Sequence, residues 1–176
     1  MAGFLKRQCR DLNVFAVVQL YNALVRPILE YCCVIWCPVY STHIYRLESV
    51  QRRIVNFILF KCHINRHSYD YTERLSLLGL QSLETRRKIY LVKYGHRILK
   101  GTINCPELNS LINLRTPAYD TRLIEHYVIP RHRTNYGLHN PISLILRSIN
   151  EVSNACSFED CSLTELNRVL LRLWPV

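Results

Sequence analysis

The side chains of this 176-residue sequence that are best suited to chemistry are arginines, and three of them recur along one predicted helix. Arg46, Arg52 and Arg53 fall on the opposite side of that helix from its apolar residues. A guanidinium group is permanently charged and can pair with a phosphate through two parallel hydrogen bonds. We therefore expect this face to contact the phosphates of a nucleic acid without reading its bases. The alternative is a solvated helix face on which Arg46 or Arg52 pairs with Glu48.

Two further groups of basic residues extend the predicted nucleic-acid-binding surface. One group continues the first surface across the loop that follows the helix, and the other decorates a later helix. The first group consists of Lys61 and Arg66, and the second consists of Arg86, Arg87, Lys88 and Lys93. For each group, the alternative is an ordinary solvated surface.

The net charge of +10 is distributed unevenly along the chain. Twelve of the 23 Lys and Arg residues lie at positions 41–100, together with only four acidic residues. Such a concentration of positive charge favours a polyanionic partner, and the predominance of Arg favours nucleic acid over a membrane surface. No apolar run is long enough for a membrane span or a signal peptide. We therefore expect an intracellular protein, and the pattern leaves the nucleus and the cytoplasm equally open.

Residues that could form a catalytic or metal centre are scattered. The aspartates are Asp11, Asp70, Asp120 and Asp160. No two of them are adjacent, so the sequence lacks an aspartate pair of the kind that can hold metal ions during phosphoryl transfer. The segment Cys62–His67 contains candidate zinc ligands, but the sequence has no Cys-x-x-Cys spacing. We predict no catalytic residue, no metal ion and no cofactor, and we expect the eight cysteines to be thiols.

The elements that must position the arginines are predicted to be helices. Asp11 is a candidate N-cap for a helix with apolar residues at helical spacing, and Pro27 marks either a kink or a new helix. Residues 28–36 are apolar nearly all round, so we expect them to be buried. Ser41 or Thr42 can cap the arginine-bearing helix. Its apolar stripe consists of Ile44, Leu47, Val50, Ile54, Phe57 and Ile58.

Capping signals predict two more helices before residue 101. Asp70 and Glu73 have the spacing of a capping box, and Gly79 is a candidate C-cap for the short helix that this box begins. Ser82 can cap a longer helix that runs to about Lys100.

Regular structure is predicted to be sparser after Gly101, because prolines interrupt the chain. We expect a short strand at 121–129 and two short closing helices at 141–149 and 162–173. Ser162 and Glu165 repeat the capping-box spacing.

Several short motifs follow one another in an order that is typical of one protein family. They are Leu24-Val25-Arg26, Leu29-Glu30-Tyr31, Trp36, Val50-Gln51-Arg52-Arg53, Leu78-Gly79-Leu80, Ser82-Leu83-Glu84 and Ile129-Pro130. In order and spacing they resemble the region after the polymerase palm in reverse transcriptases of non-LTR, LINE-type, jockey-like retrotransposons. The resemblance implies a mainly α fold, with a thumb-like helical bundle at 1–100 and an irregular C-terminal extension at 101–176 packed on it.

The resemblance also implies a function. In that family the thumb holds the template–primer duplex against the palm, and the palm supplies the metal-binding carboxylates. We therefore expect this chain to bind RNA or an RNA–DNA duplex but not to be an enzyme, because it lacks the palm of an RNA-directed DNA polymerase. The alternative is a degenerate retroelement remnant, or a helical interaction module that binds the missing palm and fingers or itself.

Overall fold

The structure is a computed structural model that describes residues 2–115, 126–156, 158 and 160–175, apart from the side chains at positions 2, 5 and 66. The fold is mainly α-helical, as the sequence predicts. Within the described residues, extended pairing is limited to one antiparallel bridge between Leu114 and Tyr127. The predicted strand at 121–129 lies partly outside the described residues, and its described end contributes Tyr127 to this bridge.

The chain divides into two compact units. The first contains residues 1–33 and 38–86, and the second contains residues 34–37 and 87–175. The predicted boundary lies at residue 100, just after the long helix Leu83–Leu99. The observed boundary lies between Arg86 and Arg87, inside that helix.

The first unit begins with helices α1 (Ala2–Gln8) and α2 (Val14–Leu20). The predicted N-cap at Asp11 is wrong: Asn13 caps α2, and its Oδ1 accepts a hydrogen bond from the Ala16 N–H at 2.7 Å. Asn13 has the extended backbone conformation that an N-cap requires.

A π-helical turn at Tyr21–Val25 joins α2 to α3 (Arg26–Glu30). The Arg26 N–H donates to the carbonyl of Tyr21, five residues earlier. Pro27 lacks an N–H and would clash with a regular preceding turn, so the wider turn accommodates it within the helical path.

The expectation that residues 28–36 are buried is wrong. Ile28 and Tyr31 are exposed, and Cys32 takes a positive φ of 50°, which ends α3. A second short helix, α4 (Cys33–Trp36), follows. The segment is broken into two short helices, and each buries only part of its surface. Apolar side chains on the remaining surface are therefore exposed to solvent.

Helix α5 (Ser41–Lys61) carries the predicted arginines. Its N-cap is Tyr40, which makes no side-chain cap, and not Ser41 or Thr42, which lie inside the helix. A 3-10 turn at Arg66–Ser68 and helix α6 (Tyr71–Leu77) follow.

Local capping fixes the next two helices as predicted. The capping box of Asp70 and Glu73 begins α6. At its end Gly79 has φ of 62°, and the N–H of Leu80 donates to the carbonyl of Leu75 at 2.9 Å. This is a Schellman arrangement, which needs a left-handed residue after the helix. The Ser82 hydroxyl accepts from the Thr85 N–H and caps α7 (Leu83–Leu99).

The second unit is completed by helices α8 (Pro106–Ser110), α9 (Asn135–Leu138), α10 (Pro141–Ser153) and α11 (Leu163–Leu173). The two closing helices confirm the prediction, with α10 four residues longer than expected. The core of the second unit is formed by Leu91, Val92, Tyr127, Ile145, Leu146, Ile149, Val152, Phe158, Leu166 and Leu170. Helices α7 and α10 approach so closely that a Cβ atom on Gly95 would lie 2.4 Å from the Ile149 Cδ1 atom.

The first unit has its own core, centred on the inner face of α5. Buried members of this core are Cys9, Val17, Tyr21, Val25, Ile54, Val55, Ile58, Leu59, Leu75 and Leu80. The inner face of α5 is therefore the rigid support for whatever its outer face presents.

Candidate nucleic-acid interface

Buried polar contacts hold α5 in place. The hydroxyl of Tyr21 donates to Oε1 of Gln51 at 2.5 Å, and Nε2 of Gln51 donates to the carbonyl of Gln81 at 2.9 Å. Burial raises the pKa of the Tyr21 hydroxyl, and Glu30 contributes to the same shift. The phenol therefore stays neutral and remains a donor. This network fixes both the position and the rotation of α5 about its axis.

A buried carboxylate on α5 connects the helix to the start of α7. Glu48 accepts the hydroxyl of Tyr71 at 2.7 Å and the backbone N–H of Glu84 at 2.9 Å. The second bond satisfies an amide in the first turn of α7, where negative charge is favoured by the helix dipole. Burial, followed by the charge of Glu48, raises the pKa of Tyr71. Glu48 is thus occupied and makes no ion pair with Arg46 or Arg52 among the described residues.

The outer face of α5 carries two exposed arginines, Arg46 and Arg53. Seven residues separate them, so they lie on one side of the helix about 10 Å apart along its axis. Neither forms an ion pair with any described residue. We call these two residues the arginine row. Both charges in this row are exposed to solvent.

Arg52 stands apart from the arginine row. Its guanidinium carbon lies 4.5 Å from the ring centre of Tyr71 and 5.4 Å from that of Tyr45, and its Nε atom is buried without a hydrogen bond. Stacking on two aromatic rings gives Arg52 a packing role in the first unit. Its charge still adds to the positive potential of the helix.

The prediction that Lys61 extends the phosphate-binding surface is not supported by its contacts. Its ammonium group donates to the backbone carbonyls of Cys9 and Arg10, each at 2.8 Å, and to that of Leu12. All three donor positions of the ammonium group are thereby used to hold the segment after α1. The other predicted member of this group, Arg66, lies in the 3-10 turn, and its side chain is outside the described structure.

The second predicted group does not form a common surface. Two nitrogens of the Arg86 guanidinium contact both carboxylate oxygens of Glu30, with the Nη2–Oε2 contact at 3.1 Å. Arg26 lies 4.0 Å from the same carboxylate. Arg86 is therefore largely neutralised inside the first unit, which is a correction to its predicted role.

Arg87 also corrects the prediction, because its side chain is only 1 % exposed. Helical spacing explains this, since Arg87 lies four residues from both Leu83 and Leu91, which are buried. Both terminal nitrogens of its guanidinium lack hydrogen-bond partners in the described part of the chain. A residue in this position cannot present its charge to a phosphate at the surface.

The last two members of the second group are also separated. Lys88 is 42 % exposed and lies 3.9 Å from Glu151, while Lys93 is half-buried. Of the nine predicted binding residues, the structure brings Arg46 and Arg53 together on an open surface. Arg52, Lys61 and Arg86 make contacts within the first unit, and Arg87 is buried.

A pocket that the sequence did not reveal lies beside the arginine row. It has a volume of about 440 Å³, and its lining includes Lys6, Asn56, Phe57, Phe60, Asn65 and His67. Phe60 is 78 % exposed. The position of Phe60 could have been predicted from the sequence. It lies seven residues after Arg53 and fourteen after Arg46, a spacing that places all three on one side of a helix. The predicted apolar stripe of α5 includes Phe57 and does not include Phe60.

The expected fate of the aromatic residues near α3 and α4 also needs correction. In the sequence, the apolar neighbours of Tyr21, Tyr31, Trp36 and Tyr40 favour a buried core over a base-stacking platform for these four side chains. Only Tyr21 is buried, while the other three are exposed.

Other kinds of site are not apparent in the described residues. Within 2–115, 126–156 and 160–175, no three His, Cys, Asp or Glu side chains gather in a way that could hold a metal ion. Across the same residues, none of the helices combines the length and apolar character needed to cross a membrane. The eight cysteines are thiols.

Comparison with known proteins finds a distant relative. The chain is 29% identical over 119 residues to "Uncharacterized protein B0403.1" of Caenorhabditis elegans, a match that covers 64% of this chain and 58% of that protein. No protein-family model matches the chain, and no solved structure matches it.

Proposed function

We propose that this chain is a thumb-like relative of non-LTR retrotransposon reverse transcriptases, and that it binds RNA or an RNA–DNA duplex through the phosphate backbone. The proposal rests on the ordered motifs of the sequence and on one structural observation, the arginine row. Arg46 and Arg53 lie on one side of α5, exposed and without ion pairs among the described residues. They are held there by the buried contacts of Gln51 and Glu48 on the opposite side.

The proposed binding is electrostatic and independent of sequence. Each phosphate that an arginine neutralises releases condensed counterions, so affinity falls as salt rises. An RNA–DNA hybrid resembles the A-form, whose shallow groove and backbone suit recognition by shape. We propose no polymerase activity for this sequence, because it has no adjacent pair of aspartates of the kind that holds the metal ions in the polymerases it resembles.

Salt-dependent binding tests this proposal. Fluorescence anisotropy with a labelled, blunt 16-base-pair RNA–DNA hybrid would be measured at several KCl concentrations. We expect the Arg46→Ala/Arg53→Ala variant to bind more weakly, and the log–log salt slope to shrink by about 2, at roughly 0.9 per lost phosphate contact.

A charge-matched variant serves as the control. Arg168→Ala/Arg172→Ala removes two exposed arginines from α11 and should keep a slope close to that of the unmodified chain. No binding at low salt, or equal losses in both double variants, would disprove the arginine row as the binding surface.

A second candidate function is a helical interaction module, and exposed apolar residues favour it. Phe15, Leu24 and Ile28 on the path from α2 to α3 are 72 %, 43 % and 58 % exposed. Leu24 and Ile28 are four residues apart and lie on a similar side of the helical path, and exposed apolar surface of this kind marks protein contacts. Sedimentation velocity without nucleic acid would support this candidate if the chain self-associates with rising concentration and Phe15→Glu/Ile28→Glu abolishes the association. A monomer at all concentrations would remove self-association from consideration.

A further inference from the structure

The arginine row ends at an aromatic side chain. Arg46, Arg53 and Phe60 are spaced by seven residues, so all three lie on nearly the same side of α5. A nucleic-acid strand that follows the two arginines would therefore reach Phe60 and the pocket next to it. The pocket's volume of about 440 Å³ lies within the usual range for small-molecule sites.

Phe60 is suited to stacking. The residue is 78 % exposed near the end of α5, so its aromatic ring is accessible from solvent. Phe57 forms part of the pocket one turn earlier and is only half-buried. Stacking of a planar base on an exposed aromatic ring covers apolar surface and tolerates any base sequence.

The polar groups of the pocket offer donors. Oδ1 of Asn56 accepts from Arg74 at 3.1 Å, and Oδ1 of Asn65 accepts from the His67 N–H at 3.1 Å. With both oxygens occupied, the amides have N–H donors left to offer, and no described residue accepts from them. Lys6 adds an ammonium group. This set complements the carbonyl and ring-nitrogen acceptors of a nucleobase and the phosphate attached to it.

We infer that this pocket binds an unpaired nucleotide next to the duplex held by the arginine row, with the base stacked on Phe60. The inference rests on the proposed function for the neighbouring duplex. The base occupies the space between α1 and the end of α5, and the amides of Asn56 and Asn65 donate to its acceptor edge. A paired base cannot enter, because its acceptor edge is already used and its faces are stacked within the duplex.

An overhang without bases provides the sharpest test. The same 16-base-pair hybrid would carry a three-nucleotide uridine extension, an abasic extension with the same phosphates, or no extension. We expect the uridine extension to bind about fivefold or more tightly than the abasic one, because a stacked base contributes an effect of this order. Phe60→Ala should abolish this difference and leave the affinity for the blunt hybrid unchanged.

Phe15→Ala is the matched control, because Phe15 is exposed to a similar degree and does not line the pocket. It should keep the preference for uridine. Equal affinity for the uridine and abasic extensions, or a preference that survives Phe60→Ala, would overturn the inference.

The two proposals can fail separately. If the blunt hybrid binds with the expected salt slope but the extensions make no difference, the pocket inference is wrong and the arginine row stands. If the hybrid does not bind, hexauridine and an abasic hexamer are compared directly. Binding of hexauridine that depends on Phe60 would then support the pocket alone, and its absence would overturn both.

Discussion

The guanidinium of Arg86 and the carboxylate of Glu30 lie 56 residues apart in sequence and form a two-contact ion pair. The Glu30 side chain is 7 % exposed and that of Arg86 is 21 % exposed. This pair ties α3 to the start of α7. It also removes from the surface an arginine whose neighbours in the sequence suggested nucleic-acid binding.

Loss of the Glu30 carboxylate should destabilise the first unit. Glu30→Gln leaves Arg86 and Arg26 without their shared counter-charge, and we expect the free energy of unfolding to fall by about 2 kcal/mol, between the values for exposed and for buried pairs. Urea unfolding followed by circular dichroism measures the change. Lys88→Gln breaks the exposed contact with Glu151 and should cost less than about 0.5 kcal/mol. Equal effects of the two variants would contradict a structural role for the Glu30 pair.

Close packing of α7 on α10 makes Gly95 intolerant of a side chain. A Cβ atom there would lie 2.4 Å from Cδ1 and 3.1 Å from Cγ1 of Ile149. We expect Gly95→Ala to lower the melting temperature, at a cost of about 1–3 kcal/mol for overpacking. Gly3→Ala is the control, because nothing lies within 4 Å of its added Cβ atom. A Gly95→Ala variant as stable as Gly3→Ala would show that the helices can separate without cost.

The capping box of α11 should make stability depend on acidic pH. The backbone N–H of Ser162, and then its hydroxyl, hold the pKa of the Glu165 carboxyl below its ordinary value of 4.5. A lowered pKa contributes stability above the ordinary value, and this contribution is lost as the pH falls through the folded-state pKa. We therefore expect Glu165→Gln to lose less stability than the unmodified chain between pH 5 and pH 3.

Thermal unfolding at half-unit pH intervals provides the measurement. The control Glu84→Gln removes an exposed carboxylate that accepts no hydrogen bond among the described residues. If both variants lose stability in parallel with the unmodified chain, the Ser162 contacts do not act on Glu165.

Cysteine reactivity should differ along the chain. Burial, together with a hydrogen bond to the Cys161 thiol, raises the pKa of the Cys156 thiol to about 12. Because the thiolate is the reactive form, iodoacetamide at pH 8 should modify Cys156 at least about tenfold more slowly than the exposed Cys32. Peptide mass spectrometry over time measures both rates. Cys161→Ala removes one cause of the shift and should speed the modification of Cys156, whereas an unchanged rate would assign the protection to burial alone.

Features that depend on a few neighbouring residues were predictable from the sequence. The capping boxes of α6 and α11 and the left-handed glycine after α6 lie where the sequence indicates, because each uses contacts within about four residues. The N-caps of α2 and α5 were not predicted, since α2 begins after Asn13, two residues beyond Asp11, and Tyr40 makes no side-chain cap for α5.

Features that depend on distant contacts were not predictable from local patterns. Nothing near Arg86 indicates Glu30, and nothing near Lys61 indicates the carbonyls of Cys9 and Arg10. The burial of Arg87 is an intermediate case. Its four-residue spacing from Leu83 and Leu91 indicates the buried side of α7, but a charged side chain is ordinarily expected at the surface, and Arg87 was predicted there.

The π-helical turn at Tyr21–Val25 has a consequence for insertions and deletions in this chain. It holds one residue more than an α-helical turn, so it sets the rotational phase of every side chain that follows in α3. Shortening the turn by one residue would rotate Glu30 by about 100° about the helix axis and carry its carboxylate away from Arg86. The length of this segment is therefore as strictly constrained as the identity of its buried side chains.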